Sequence, residues 1–140
     1  MKKQLLLAAF LFACITSFAQ QKTEIKPQYL LIIRFKTDFK PATDTTVSVN
    51  IKHWRTYMGG LAQSGKIVGG YRPSGDGITI SGPQKIITST PYTANNDLVS
   101  SVLIIKADDL NDAKAIAANC PALELGGSVE VRPIMNTAGK

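Results

Sequence analysis

Apolar residues fall along this chain in two rhythms, and each rhythm predicts its own kind of element. Gln28–Phe35, QYLLIIRF, is a near-continuous apolar run of strand length. That is the pattern of a central strand buried on both faces. KTDFKPATDTT follows; it is polar, holds Pro41, and reads as a loop. Ile51, Trp54, Met58 and Leu61 then recur at intervals of three, four and three, one stripe of a 3.6-residue helix. Thr45 or Thr46 is placed to cap its first turn with a hydroxyl. Ser64-Gly65-Lys66 ends it, Gly65 being suited to a left-handed C-terminal position. Gly59 and Gly60 lie inside this helix, where each costs about 1 kcal/mol relative to alanine. Either another backbone comes close there, or the pair is simply tolerated.

KIVGGY, ending at Tyr71, predicts a second strand, and Gly75-Asp76-Gly77 is turn chemistry. ITISGPQKIIT, Ile78–Thr88, reads as two short strands around Gly82-Pro83. STPYTANND is a second polar loop, and Leu98–Ala107 another buried strand. Asp109-Leu-Asn-Asp112 resembles a capping box with Asp in place of the usual Glu. The helix it opens carries Leu110, Ala113, Ala117 and Cys120 on one stripe, and Pro121 stops it. In the last strand, GGSVEVRPIM, Val129 and Val131 face one side, Glu130 and Arg132 the other.

The order is strand, helix, strand, small hairpin, strand, helix, strand. Its outer parts are two βαβ halves, so the expected class is α+β on the ferredoxin-like, split-βαβ plan with a hairpin insertion. Right-handed crossovers place both helices on one face of an antiparallel sheet. The opposite face is too apolar to be left to water. A second subunit is expected to cover it, making a homodimer.

The chain opens MKKQLLLAAFLFACITSFAQ, a basic start, a short apolar run and small residues at Ser17 and Ala19. This is the form of a secretory signal peptide and not of a membrane span. The expected layout is a signal peptide over 1–19, a linker over 20–27, the α+β domain over 28–135 and a tail over 136–140. The mature protein is then exported, periplasmic or secreted, with no stable membrane insertion. LFAC loosely resembles a lipobox, which keeps open a lipoprotein anchored through Cys14. Loss of Cys14 with the leader leaves Cys120 alone, so no intrachain disulfide is available. Cys120 reads as a small buried apolar residue and not as a reactive thiol.

The formal charge of the chain is +6, and losing Lys2 and Lys3 lowers it to about +4. The basic residues are scattered, without the clustering or interleaved aromatics that a nucleic-acid footprint needs. One histidine and one mature cysteine do not make a usual zinc set, and no spaced acidic cluster suggests calcium. No Gly-rich strand-to-helix loop points to a nucleotide. No cofactor is implied.

GGSVEVRPIM, preceded by DDLNDAKAIAANCPALE, resembles the C-terminal half of the YCII-related, DGPF-type proteins. LAQSGKIVGGY and QYLLIIRF carry the resemblance back over Tyr29 to Met135. It implies the dimeric α+β barrel fold, a group that includes small isomerases and decarboxylases. It also implies a catalytic pair, a histidine on the first helix and an aspartate after the second strand. His53 falls at the first place, judged by its spacing to Gly70, and Asp76 near the second. The DGPF loop corresponds to STPYTANND. Pro91 is kept and Tyr92 stands for the aromatic, but Ser89, Thr90 and Ala94 replace an aspartate, a glycine and a glutamate. The carboxylates of that motif are missing.

An imidazole that titrates near neutrality can take a proton from carbon or water and return it. His53 lies about 120° from the apolar stripe, on a flank it shares with Tyr57. Such a flank either lines a cleft or faces solvent. Asp76 is either its orienting carboxylate or an ordinary turn residue. Tyr71 and Arg72, closing the second strand, are placed to bind an anionic group, and Tyr57 and Tyr92 join them as candidate ligand contacts. The leading expectation is a small-molecule binder. An isomerase, lyase or hydrolase using His53 with Asp76 is the alternative, and a non-catalytic cell-envelope interaction module the second alternative.

Overall fold

The computed structural model describes residues 26–135. The leader, Cys14, most of the 20–27 linker and the 136–140 tail lie outside the described residues. The elements are β1 (Gln28–Lys36), α1 (Asp44–Gln63), β2 (Ile67–Tyr71), β3 (Thr79–Ser81), β4 (Ile86–Thr88), β5 (Asp97–Lys106), α2 (Leu110–Ala118), a 3-10 turn (Leu123–Leu125) and β6 (Ser128–Pro133). The main sheet runs β2-β5-β1-β6, with every neighbouring pair antiparallel, and β3 and β4 form a separate hairpin. This is the α+β, ferredoxin-like plan that the order of elements predicts.

Alternation along the strands divides the sheet into two apolar faces. On one, Tyr29, Leu31 and Ile33 of β1 stand opposite Ile105, Leu103 and Ser101 of β5. Tyr29, Leu31, Ile33, Leu103 and Ile105 join Leu61 of α1, Ala113 and Ala117 of α2, and Cys120 in one buried core. Both helices therefore pack on this face. Leu30 and Ile32 point the other way, opposite Ile104 and Val102, and none of these four belongs to that core. Cys120 is 2% exposed, and burial pushes its thiol pKa up. That is the inert, packed cysteine expected from the sequence.

The helix termini follow capping chemistry, one of them from a residue other than those expected. Thr43, not Thr45 or Thr46, caps α1: its backbone is extended and its Oγ1 accepts from the Thr46 N–H at 3.1 Å. Thr45 and Thr46 already lie inside the helix, so their own hydroxyls have no free first-turn donor ahead of them. Gly65 adopts the left-handed conformation expected of it, with φ of 64°. A methyl group added at Gly59 or Gly60 would meet nothing within 4 Å, so no backbone approaches this pair among the described residues. At α2, Asp109 accepts from the Asp112 N–H at 2.8 Å. The Asp112 carboxylate, shorter than a glutamate's, takes the Asp108 N–H instead of the cap's own. Two members of the expected α2 stripe differ: Leu110, the first helical residue, is 52% exposed, and Cys120, though buried, lies beyond the helix, which ends at Ala118 with Asn119 as its cap.

Lys66, just past α1, clamps α2 by placing Nζ 2.9 Å from both Asp112 oxygens. This hydrogen bond, with that from the Asp108 N–H, holds the Asp112 carboxyl below the usual carboxylate range. A depressed carboxylate stabilises the fold above the unfolded-state pKa and loses that contribution as pH falls through its folded value. Asp112→Asn is therefore expected to lower stability at neutral pH by about 1 kcal/mol. The gap to wild type should close below about pH 4, the ordinary aspartate range. Urea denaturation across pH checks this; a gap that is constant down to acid pH refutes the assignment.

Candidate functional site

The stripe of α1 does two different jobs. Leu61 is buried in the core, and Tyr57, expected on a flank that lines a cleft or faces solvent and as a ligand contact, instead packs against the core outside the cleft lining, its hydroxyl donating to the Ile116 carbonyl at 3.2 Å. Burial raises the Tyr57 phenol pKa further, so the hydroxyl stays a donor. Nearer the N-terminus the buried residue is polar: Asn50 is 5% exposed. Its Nδ2 donates to the Pro121 carbonyl at 2.8 Å and to Glu124 Oε2 at 3.1 Å. These contacts seat one flank of α1 against α2 and the 3-10 turn. Ile51, expected to hold the helix to the sheet, is 52% exposed instead. It stands beside Trp54 and Met58, which touch the core on one side, and all three border an open space on the other.

The space is a cleft of about 780 Å³ between α1 and one end of the sheet. That lies within the usual range for small-molecule sites. Trp54, Ile51, Met58 and Val47 form its roof, and Ile33, Phe35 and Leu103 part of its floor. Phe39 and Pro41, from the loop after β1, close one side, with the Phe39 ring 4.6 Å from that of Phe35. Leu125 of the 3-10 turn closes another. Gly70 of β2 keeps the floor low, since a methyl group there would fall 2.9 Å from Leu103 Cδ2. A bulge in β5 opposite the Ile33–Arg34 step brings both Ser100 and Ser101 to the cleft.

Outside the cleft lining, His53 pairs with Glu124 of the 3-10 turn. Its Nδ1 lies 2.8 and 3.0 Å from the two carboxylate oxygens. That hydrogen bond, joined by the one from Asn50, pulls the Glu124 pKa down. A carboxylate accepts, so Nδ1 carries the proton, and a neutral ring then presents its lone pair at Nε2. The arrangement is that of an oriented imidazole base. It sits on the outer flank of α1, with the His53 side chain half-exposed. Glu124 lies 71 residues away in the chain and carries no local signature that marks it as the partner.

The other candidates from the sequence separate. Tyr71 and Arg72 both line the cleft. The Tyr71 ring folds back over Gly69, within 3.5 Å of where a side chain there would start. Asp76 lies in an exposed segment, its backbone N–H donating to Ser74 Oγ at 3.2 Å. No hydrogen bond or ion pair joins it to His53 among the described residues. Tyr92 is 75% exposed and is not among the cleft residues. Trp54, Asn50 and Leu125 are the site residues that sequence reasoning did not single out, since an apolar or amide side chain on a helix reads as packing.

No curated protein matches the sequence. One solved structure similar to the chain is 5-chloro-2-hydroxyhydroquinone dehydrochlorinase from Burkholderia phenoliruptrix, in complex with 2,5-dihydroxybenzoquinone. It is 20% identical, over 76% of this chain and 93% of that one, with a TM-score of 0.40. The profile of the YCII-related domain matches residues 28–138, most of the chain. The β1-α1-β2 and β5-α2-β6 halves, the sheet they build and the cleft under α1 all lie within that span, and the chain belongs to the YCII-related domain family.

Proposed function

We propose that this YCII-related protein is an exported homodimer that binds a small organic molecule in the cleft under α1. The cleft itself carries the reading. An open cleft of about 780 Å³ with mainly apolar walls lies beneath Trp54, the size and character of a small-molecule site. Export rests on the signal-peptide pattern of the first 19 residues. Dimerisation is supported by the second sheet face, where Leu30, Ile32, Val102 and Ile104 form an apolar strip apart from the core. Ile78, Ile80 and Ile87, more than half exposed on one side of the β3–β4 hairpin, add apolar surface that a partner would cover.

Trp54 is the one tryptophan in the chain, so its indole N–H resonance reports on the cleft directly. Millimolar 2-naphthylmethanol, a neutral flat probe, is expected to shift that resonance in the mature protein and to leave the Tyr92 region unmoved. No shift at Trp54 would remove the binding reading. Sedimentation equilibrium at micromolar concentration should give a dimer, and Ile104→Glu a folded monomer, because a charge on a desolvated interface is costly. A monomeric wild type would remove the dimer.

One observation favours a second reading, an isomerase, lyase or hydrolase. His53 is oriented through Nδ1 by Glu124, the arrangement of a general base. In that enzyme Glu124 orients the ring, the part the family resemblance gives to Asp76. Turnover of any substrate should then fall by about a hundredfold or more in His53→Ala. Undiminished turnover in that variant excludes His53 as the base.

A further inference from the structure

We propose that the ligand of the cleft is a flat aromatic carboxylate, its rings lying beneath Trp54 and its carboxylate paired with Arg72. The proposal rests on the binding reading above and adds the charge and shape of what is bound. Among the residues that line the cleft only Lys36 and Arg72 are charged, and none is acidic. Lys36 is already occupied. Its Nζ lies 3.0 Å from Asp97 Oδ1 and 3.1 Å from the Asn95 carbonyl, so its charge is balanced within the fold. Arg72 forms no hydrogen bond or ion pair among the described residues, and it is exposed.

Arg72 directly follows β2 and lines the cleft together with Gly70, which faces Leu103 and Met58. The free cation therefore stands at the exposed edge of an apolar slot. A guanidinium is a planar fork whose geometry matches a carboxylate through two parallel hydrogen bonds. Such a pair gains strength beside apolar walls, where the local dielectric is lower than in water. The body of the ligand is set by the rest of the slot. The roof of Trp54 and Met58 lies over the floor of Ile33 and Leu103, a gap between a helix and a sheet that suits a flat ring system. A cationic ligand would meet a second positive charge with no carboxylate among the lining residues to offset it.

The test compares 2-naphthoate with 2-naphthylmethanol, the same rings with and without the charge, in mature wild-type protein and in Arg72→Gln. Binding is read from the Trp54 indole resonance. The carboxylate should bind at least about tenfold more tightly than the alcohol. Arg72→Gln should abolish that preference, so that the carboxylate binds the variant no more tightly than the alcohol does. Added salt should shrink the preference in wild type, a reading that needs no variant. Equal binding of the two probes, or a preference that survives Arg72→Gln, overturns the proposal while leaving the cleft as a binding site. Failure of both probes to move Trp54 overturns the proposal and the binding reading together.

Discussion

Asn50 decides where the first helix sits, and the cleft exists because of where it sits. A buried amide that lost its partners would cost roughly 1–3 kcal/mol. Both hydrogen bonds of Asn50 Nδ2 run to the segment after α2, to the Pro121 carbonyl and to Glu124. Farther along α1, Leu61 enters the core and Tyr57 bonds the Ile116 carbonyl. All three anchors lie on one flank. The helix is thus hung from α2 and the 3-10 turn, and its other flank overhangs the sheet. Beneath that overhang the sheet presents Gly70, Ser100 and Ser101, residues too small to fill the gap. The roof of this open cleft is held from one side, by the hydrogen bonds of Asn50 and Tyr57.

The same anchor joins the two chemical features of the molecule. Glu124 accepts from Asn50 on one oxygen and contacts His53 with both. Leu125, the next residue, is a wall of the cleft. The orientation of the imidazole and the position of that wall therefore depend on one short 3-10 turn. Its geometry is in turn fixed by the buried Pro121 and Ala122 that precede it. A ligand that displaced Leu125 would disturb the His53 contact, although His53 lies outside the cleft.

Period and punctuation made the fold legible. QYLLIIRF and LVSSVLIIKA read as buried strands because their runs are of strand length, and Pro121 bounded α2 to within a few residues of its end at Ala118. The site was legible only in part, for a physical reason. A cleft wall and a core are built from the same side chains, so Ile51, Trp54 and Met58 present the periodicity of a packed stripe whether they touch a neighbour or border a void. Tyr57 misled in the opposite sense, since a phenol can bury its ring and still satisfy its hydroxyl on a carbonyl. Glu124 was beyond reach, because a carboxylate distant in the chain is identified as a partner only once the fold brings it to the histidine.

The bulge in β5 shows how little separates the two faces of this sheet. Before it, Leu98 stands opposite Phe35 on the helix side and Val99 opposite Arg34 on the outer side; after it, Ser101 stands opposite Ile33, again on the helix side. An unbroken strand would exchange Leu98 and Val99, since every residue beyond a one-place slip changes face. Leu98 would be lost to the outer strip and a β-branched side chain would enter beside Phe35. The extra residue, Ser100, absorbs the slip and caps the disturbance with its hydroxyl, which donates to the Ile33 carbonyl at 3.4 Å. It also leaves two hydroxyls at the floor of an otherwise apolar slot. The irregularity that keeps Leu98 on the helix side is therefore the one that brings a second serine to the cleft floor, and an unbroken strand would have built neither.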